Sequence, residues 1–181
     1  DLNYAGKQVA EELGHLSNQH AQGLRMHSTL AVSEAGVPLG LIDQQTWSRE
    51  GESKGKAQAR RKKDTAEKES QRWLTAVQAA EQLVPEDTEI VHVADREGDI
   101  YALLAVERQA RSHLLIRMTH NRRVEHEQRY VWEAIRQAPI AGEISVQVTQ
   151  QANRAARLAR VAVRFVTQTI RPPHQRAGPG V

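Results

Sequence analysis

The sequence predicts an α/β fold, and three observations carry that expectation. A short β-branched run, Glu89 to Ala94 (EIVHVA), is followed by a helical stretch and a second apolar run, His113 to Thr119 (HLLIRMT). A strand–helix–strand unit of about thirty residues fits a crossover connection, and so a parallel pair. A hairpin pattern precedes this unit, and two alternating segments that suit an antiparallel ribbon follow it.

The elements can be justified in order. Asp1-Leu2-Asn3-Tyr4 reads as extended, and Val9, Leu13 and Leu16 then recur at helical spacing, predicting a short helix or turn over Lys7 to Leu16. Arg25 to Glu34 alternates Met26, Ser28, Leu30 and Val32, the period of a strand. Ala35-Gly36-Val37-Pro38 supplies a turn, and Leu39 to Asp43 begins the partner strand. Glu50 to Lys63 holds two glycines, mixed charge and no large apolar side chain, so a mobile loop is expected there.

Thr65 to Leu83 sets Trp73, Val77, Ala80 and Leu83 on one helical face, with Pro85 beyond its end. Glu89 to Ala94 reads as a buried strand. It stops at Asp95-Arg96-Glu97-Gly98-Asp99, where Asp99 is expected to cap a helix from Ile100 to Ala110. A short helix over Tyr130 to Ala138 follows the second parallel strand. Glu143 to Val148 and Leu158 to Val166 then alternate, joined by a polar loop at Thr149 to Ala156. Val161, Val163 and Phe165 fall on one face of the second segment, Arg160 and Arg164 on the other. Residues 171–181 hold three prolines and two glycines, and disorder is expected there. No internal repeat occurs.

Composition narrows the function classes. The chain has 181 residues, 39% apolar and 26% charged, enough for one domain with a sizeable core, or a domain with an appendage. No stretch approaches the ~20 apolar residues of a membrane span, and no secretory apolar region opens the chain. Cysteine is absent, which excludes disulfides, zinc fingers, iron–sulfur clusters and cysteine nucleophiles, and fits a reducing compartment. With one Phe, three Trp and three Tyr, an aromatic platform for stacked bases is not expected.

The net charge of +3 is modest, but its distribution is uneven. Nine basic residues lie between Arg49 and Arg72, a second group is Arg117, Arg122 and Arg123, and a third is Arg154, Arg157, Arg160 and Arg164. Brought together, they would make one face that tracks phosphates. Kept apart, they are solvated surfaces.

Asp95 is the most informative position for chemistry. It stands where an apolar strand ends and a helix begins, the edge at which open α/β sheets place ligands. A carboxylate there suits a hard divalent cation, which would need a further acid from elsewhere. Equally, Asp95 could simply cap the following turn. His15, His20 and His27 have no zinc-ligand spacing. No GxxxxGK[ST], GxGxxG or G-x-S-x-G occurs, so P-loop NTPase, classical dehydrogenase and serine hydrolase readings fall.

Val93-Ala94-Asp95-Arg96-Glu97-Gly98-Asp99-Ile100 resembles the aspartate-arginine-glutamate signature around the second catalytic Asp of DDE transposases from bacterial cut-and-paste elements. Other segments agree in order. Val9 to Gly14 and Met26 to Leu30 resemble the stretch after the family's first strand, and Glu67 to Trp73 resembles the segment before the signature. Leu39-Gly40-Leu41 and Ile116-Arg117 also fall in place. The resemblance covers roughly residues 1–170 and is closest to the Tn-five type within the IS-four family.

The resemblance implies an RNase H-like mixed sheet with flanking helices, in which two aspartates and a glutamate hold two Mg²⁺ or Mn²⁺ ions for DNA cleavage and strand transfer. Asp95 would be the second acid, both catalytic and metal-binding. Arg117 matches an arginine facing the DNA end, with Arg122 and Arg123 as further DNA contacts. The domains implied are a core over residues 1–139 with a truncated first strand, a ribbon over 140–170 that starts a β insertion, and the tail. Transposon-end and target DNA would be the partners, a homodimer would form on DNA, and the setting would be the bacterial cytoplasm and nucleoid.

The departures are specific. The family's first catalytic Asp opens an Asp-Thr-Thr-(Asp/Glu)-Leu run, of which Asp1-Leu2 matches only the end. Tyr-x2-Arg-x3-Glu-x6-Lys, which carries the third acid, is not found; Tyr4, Tyr101 and Tyr130 all lack the Arg. The expectation is therefore a fragment with one of three acids that does not itself catalyse. Two alternatives are a non-catalytic basic αβ module that binds DNA, and a different RNase H-like nuclease.

Overall fold

The computed structural model describes residues 1–4, 13–16, 21–48, 71–125 and 130–173. It is a mixed α/β structure of small sheets and few helices, divided into two compact units, Asp1–Arg117 and Met118–Val181.

The first unit begins with β1 (Leu2–Asn3), β2 (Gly14–His15), β3 (Gln22–Val32) and β4 (Pro38–Trp47). β3 is the spine, with β1, β2 and β4 all antiparallel to it. The β3–β4 hairpin is the one the alternation predicts. Its turn is closed by Ser33, whose carbonyl accepts from Gly36 N–H at 2.8 Å and whose N–H donates to Val37 O at 2.9 Å. Gly36 takes φ +80°, a conformation that costs a residue without Cβ least. Along β3, Arg25, His27 and Thr29 are half-buried while Met26, Ser28 and Leu30 are exposed, so one face of the hairpin is covered. Gly14 and His15 are strand rather than the end of a helix, because their backbones pair with Gly23 and Gln22. The rest of the helix expected over Lys7 to Leu16 lies mostly outside the described residues, as does the loop Glu50 to Lys63.

Helix α1 (Gln71–Leu83) buries Ala76, Val77 and Ala80 and packs on β4 and on β5 (Ile90–Ala94). Residues 65–70 of the expected helix are outside the described residues. Leu83 departs from expectation at 64% exposed. The helix ends there, and its last carbonyls are met by the Arg111 guanidinium instead of an apolar surface.

β5 pairs in parallel with β6 (Ser112–Ile116), from Ile90↔Ser112 to Ala94↔Ile116, as the crossover reading expects. The strand is not buried on both faces. Ile90, His92 and Ala94 lie on the covered side, whereas Val91, Val93 and Leu115 are exposed. Helix α1 packs on β5, and the alternating exposure along the strand shows one covered face.

The connection also differs from expectation. It is a 3-10 turn, Arg96–Gly98, and a single-turn helix α2, Tyr101–Leu104, rather than a helix to Ala110. Arg108 Nη1 donates to the carbonyls of Leu103 and Val106, taking acceptors the next helical turn would use. Asp99 does not cap α2. That position is Ile100, with no side-chain bond, and Asp99 is buried at 2% exposure.

The second unit contains α3 (Val131–Gln137) and an antiparallel ribbon of β7 (Gly142–Val148) and β8 (Arg157–Val163). Its buried apolar residues are Val124, Ala134 and Ala138. Gln151 and Arg154 exchange backbone hydrogen bonds at 3.0 Å and close the ribbon's loop. β8 stops at Val163, where the Arg164 side chain turns to donate to Ala138 O, and Phe165 is left 75% exposed instead of continuing a strand face. Arg171 N–H donates to Arg123 O at 2.8 Å, so the start of the expected tail is tied down; residues 174–181 lie outside the described residues. No described helix is long and apolar enough to cross a membrane.

Candidate functional site

The site is built where β5 ends. Asp95 leaves the strand in an extended conformation and caps the 3-10 turn: its Oδ1 accepts the Glu97 N–H at 2.9 Å, and its carbonyl accepts the Gly98 N–H at 3.1 Å. The residue is exposed, so the carboxylate stays in contact with solvent. The turn is tight because Gly98 approaches the strand closely. A Cβ there would lie 2.6 Å from the Ala94 Cβ.

Arg117 follows β6 directly, and its N–H donates to Ala94 O at 3.1 Å. Asp95 and Arg117 are therefore the residues next after Ala94↔Ile116, side by side at the carboxyl edge of a parallel pair. Arg122 and Arg123 belong to the second unit, on the approach to α3; Arg122 O accepts from Val131 N–H, and Arg123 bridges to Tyr130. On the ribbon, Arg160 is paired with Glu143. The basic run Arg49 to Lys68 lies outside the described residues.

Arg72 ends that basic group in the sequence, and the structure gives it an environment of its own. Its Nη2 lies 3.1 Å from Glu97 Oε2, and its guanidinium carbon is 5.5 Å from the Trp47 ring centroid and 5.7 Å from that of Trp73. Gln45 Nε2 donates to Arg72 O and to Asp43 Oδ2, which ties the start of α1 to β4. His27 meets Trp73 edge-on, with ring centroids 4.6 Å apart. The sequence signals for this cluster are the adjacent Arg72-Trp73 pair and a second tryptophan, Trp47, 25 residues earlier. No spacing rule connects them, because the β-hairpin and α1 create the contact.

Burial holds the His27 imidazole below its ordinary value near 6.5; Arg72 lowers it further, against opposing pulls from Asp43 and Glu97. His92, bonded to Ser112 Oγ at 2.9 Å, is also lowered, chiefly by burial and further by Arg108, with Glu81 opposing. Both folded-state values lie below the unfolded value, so the unfolded chain binds more protons as pH falls. Their contribution is fully present above about pH 7.5 and is lost as pH drops through 6.5 toward the folded values. Urea midpoints should therefore fall between pH 7.5 and 5.5. The fall should be smaller in His27→Gln and His92→Gln; equal slopes in all three proteins would remove these residues as its origin.

The donor chemistry at Asp95 fits a hard divalent cation as one ligand of a larger set: a solvent-facing carboxylate with Oδ1 engaged by a backbone N–H. Among the described residues, no group of three or more His, Asp or Glu side chains is placed to share an ion. Compared with models of known protein families, the chain matches none.

Proposed function

We propose that this chain is part of the RNase H-like catalytic core of a DDE transposase, with Asp95 as the second of three metal-binding acids. The observation that carries the reading is the exposed Asp95 at the carboxyl end of one parallel strand, level with Arg117 at the end of the next. β1 runs antiparallel to the start of β3, Leu2↔Leu24 and Asn3↔Gly23, next to the hairpin as the first strand of such a core would. β5 and β6 form a separate two-stranded sheet rather than joining β1 in one mixed sheet. When bound, Mg²⁺ or Mn²⁺ would supply an activated water and stabilise the leaving oxygen of a phosphodiester. This chain's part is to present one carboxylate oxygen, and to place the Arg117 cation beside it for a DNA phosphate. With a single acid, the chain itself binds DNA without cutting it.

A second reading rests on the cap. Asp95 holds the 3-10 turn, which is all that a non-catalytic DNA-binding module would require of it. Millimolar Mn²⁺ separates the two readings. Under the transposase reading it broadens the amide signals of residues 95–99 and Arg117, Asp95→Asn weakens that effect by about tenfold, and duplex DNA stays intact. If broadening is diffuse and salt-sensitive DNA binding ignores Asp95→Asn, the module reading stands instead. The encoding gene gives an independent check, since Asp-Thr-Thr should precede Asp1.

A further inference from the structure

We infer that Arg72 is a positioning residue for Asp95, acting through Glu97 from the start of helix α1. The inference rests on the transposase reading only for what Asp95 does; the mechanical link stands on geometry.

Glu97 makes both connections. Its backbone N–H donates to Asp95 Oδ1 at 2.9 Å, while its carboxylate is met by Arg72 at 3.1 Å. The two partners are unequally buried. The Arg72 side chain is 13% exposed and lies between Trp47 and Trp73, whereas that of Glu97 is 69% exposed. The cation is thus the anchored member, held by two indole faces and by the bond from Gln45 to its own carbonyl. An exposed carboxylate alone would sample several rotamers. Pairing with a fixed planar cation narrows that choice, and with it the orientation of the peptide that carries the N–H.

Gly98 lets the turn sit close against the strand, since a Cβ there would lie 2.6 Å from the Ala94 Cβ. With Oδ1 held, the second oxygen of Asp95 is the one left to face a cation. The link runs from the β3–β4 hairpin, through α1, to the carboxyl edge of β5, across 25 residues of sequence between Arg72 and Glu97.

Amide hydrogen exchange tests the link without metal or catalysis. Arg72→Gln should speed exchange of the Glu97 N–H by about tenfold, with the Val84 N–H at the end of α1 changing by less than about twofold. Arg72→Lys, which keeps charge but not the stacked plane, should fall between. Glu97→Gln alters an exposed side chain and should reproduce the effect, so the test survives if Arg72→Gln folds poorly. Unchanged Glu97 N–H exchange in Glu97→Gln and in any folded Arg72 variant would overturn the proposal.

Mn²⁺ broadening then separates this proposal from the reading it rests on. Coupled exchange together with reduced broadening at Asp95 in Arg72→Gln supports both. Coupled exchange without localised broadening in the wild-type chain keeps the Arg72 link and removes the metal role of Asp95.

Discussion

Arg111→Ala is expected to destabilise the first unit by about 3 kcal/mol, read as a lower urea midpoint with an unchanged slope. Arg111 Nη1 donates to Pro85 O at 2.7 Å and Thr88 O at 2.9 Å, and Nη2 to Glu81 O at 3.0 Å and Val84 O at 3.1 Å. Its Nε adds Gln109 Oε1 at 2.7 Å. The four carbonyls lie at and beyond the end of α1, where a helix leaves acceptors without intrahelical donors and carries partial negative charge. The last turn of α1 has no basic residue of its own. One cation from just before β6 therefore satisfies the helix end, and joins it to the parallel pair. Each charge-assisted bond is worth roughly 1.5–3 kcal/mol, but four bonds to one half-exposed group do not add, which sets the figure well below their sum. Arg111→Lys should recover less than half, because an ammonium cannot reproduce the planar fork. A loss under about 0.5 kcal/mol would show that water replaces the guanidinium at little cost.

Gly98→Ala should cost about 2–3 kcal/mol, and it should also disturb the site. The new Cβ would stand 2.6 Å from the Ala94 Cβ, 3.7 Å from Leu103 Cδ2 and 3.8 Å from Trp73 Cε3. Leu103 is 2% exposed, so there is little room for it to withdraw. The Ala94 Cβ is fixed to the backbone of β5 and moves only if the strand does. Relief must come from lifting the 3-10 turn, which stretches the bond between Asp95 Oδ1 and Glu97 N–H. Loss of stability should therefore accompany faster exchange of the Glu97 amide. Adding Ala94→Gly removes the opposing methyl, and should restore the exchange rate even though glycine weakens the strand. Failure of that rescue would place the conflict at Leu103 or Trp73 instead.

Much of the local structure was legible because it depends on period and punctuation. The β3–β4 hairpin follows from alternation interrupted by Gly36 and Pro38, and the β7–β8 ribbon from two alternating runs around a polar loop. The parallel pairing of β5 and β6 followed from their separation by a crossover. Expectations failed where a side chain from elsewhere took over backbone groups. Arg108 shortened α2, and backbone pairing with β3 made Gly14 and His15 a strand. The strand within Glu89 to Ala94 is covered on one face only, because an apolar run shows that a strand can be covered, not how many of its faces are.

Asp95 was singled out by its place after an apolar strand, and the structure puts it at the carboxyl edge of β5 with Arg117 alongside. That pairing follows from the parallel register Ala94↔Ile116, with the second strand ending at Ile116 rather than at Thr119 as its apolar run suggests. The absence of cysteine chemistry follows from composition. The alternation of strands and helices and the position of Asp95 after an apolar run were determined by the sequence itself, since they depend on neighbours within a few residues. The tertiary structure alone decided that Arg72 is enclosed by Trp47 and Trp73, that Arg111 completes the end of α1, and that Gly98 must lack a side chain. The contacts of Arg72 with Trp47 and Glu97, and of Arg111 with Glu81, join residues about 25 to 30 positions apart, and the demand on Gly98 depends on a backbone approach of a few ångströms. Chain folding sets such distances, and no local pattern of residues encodes them.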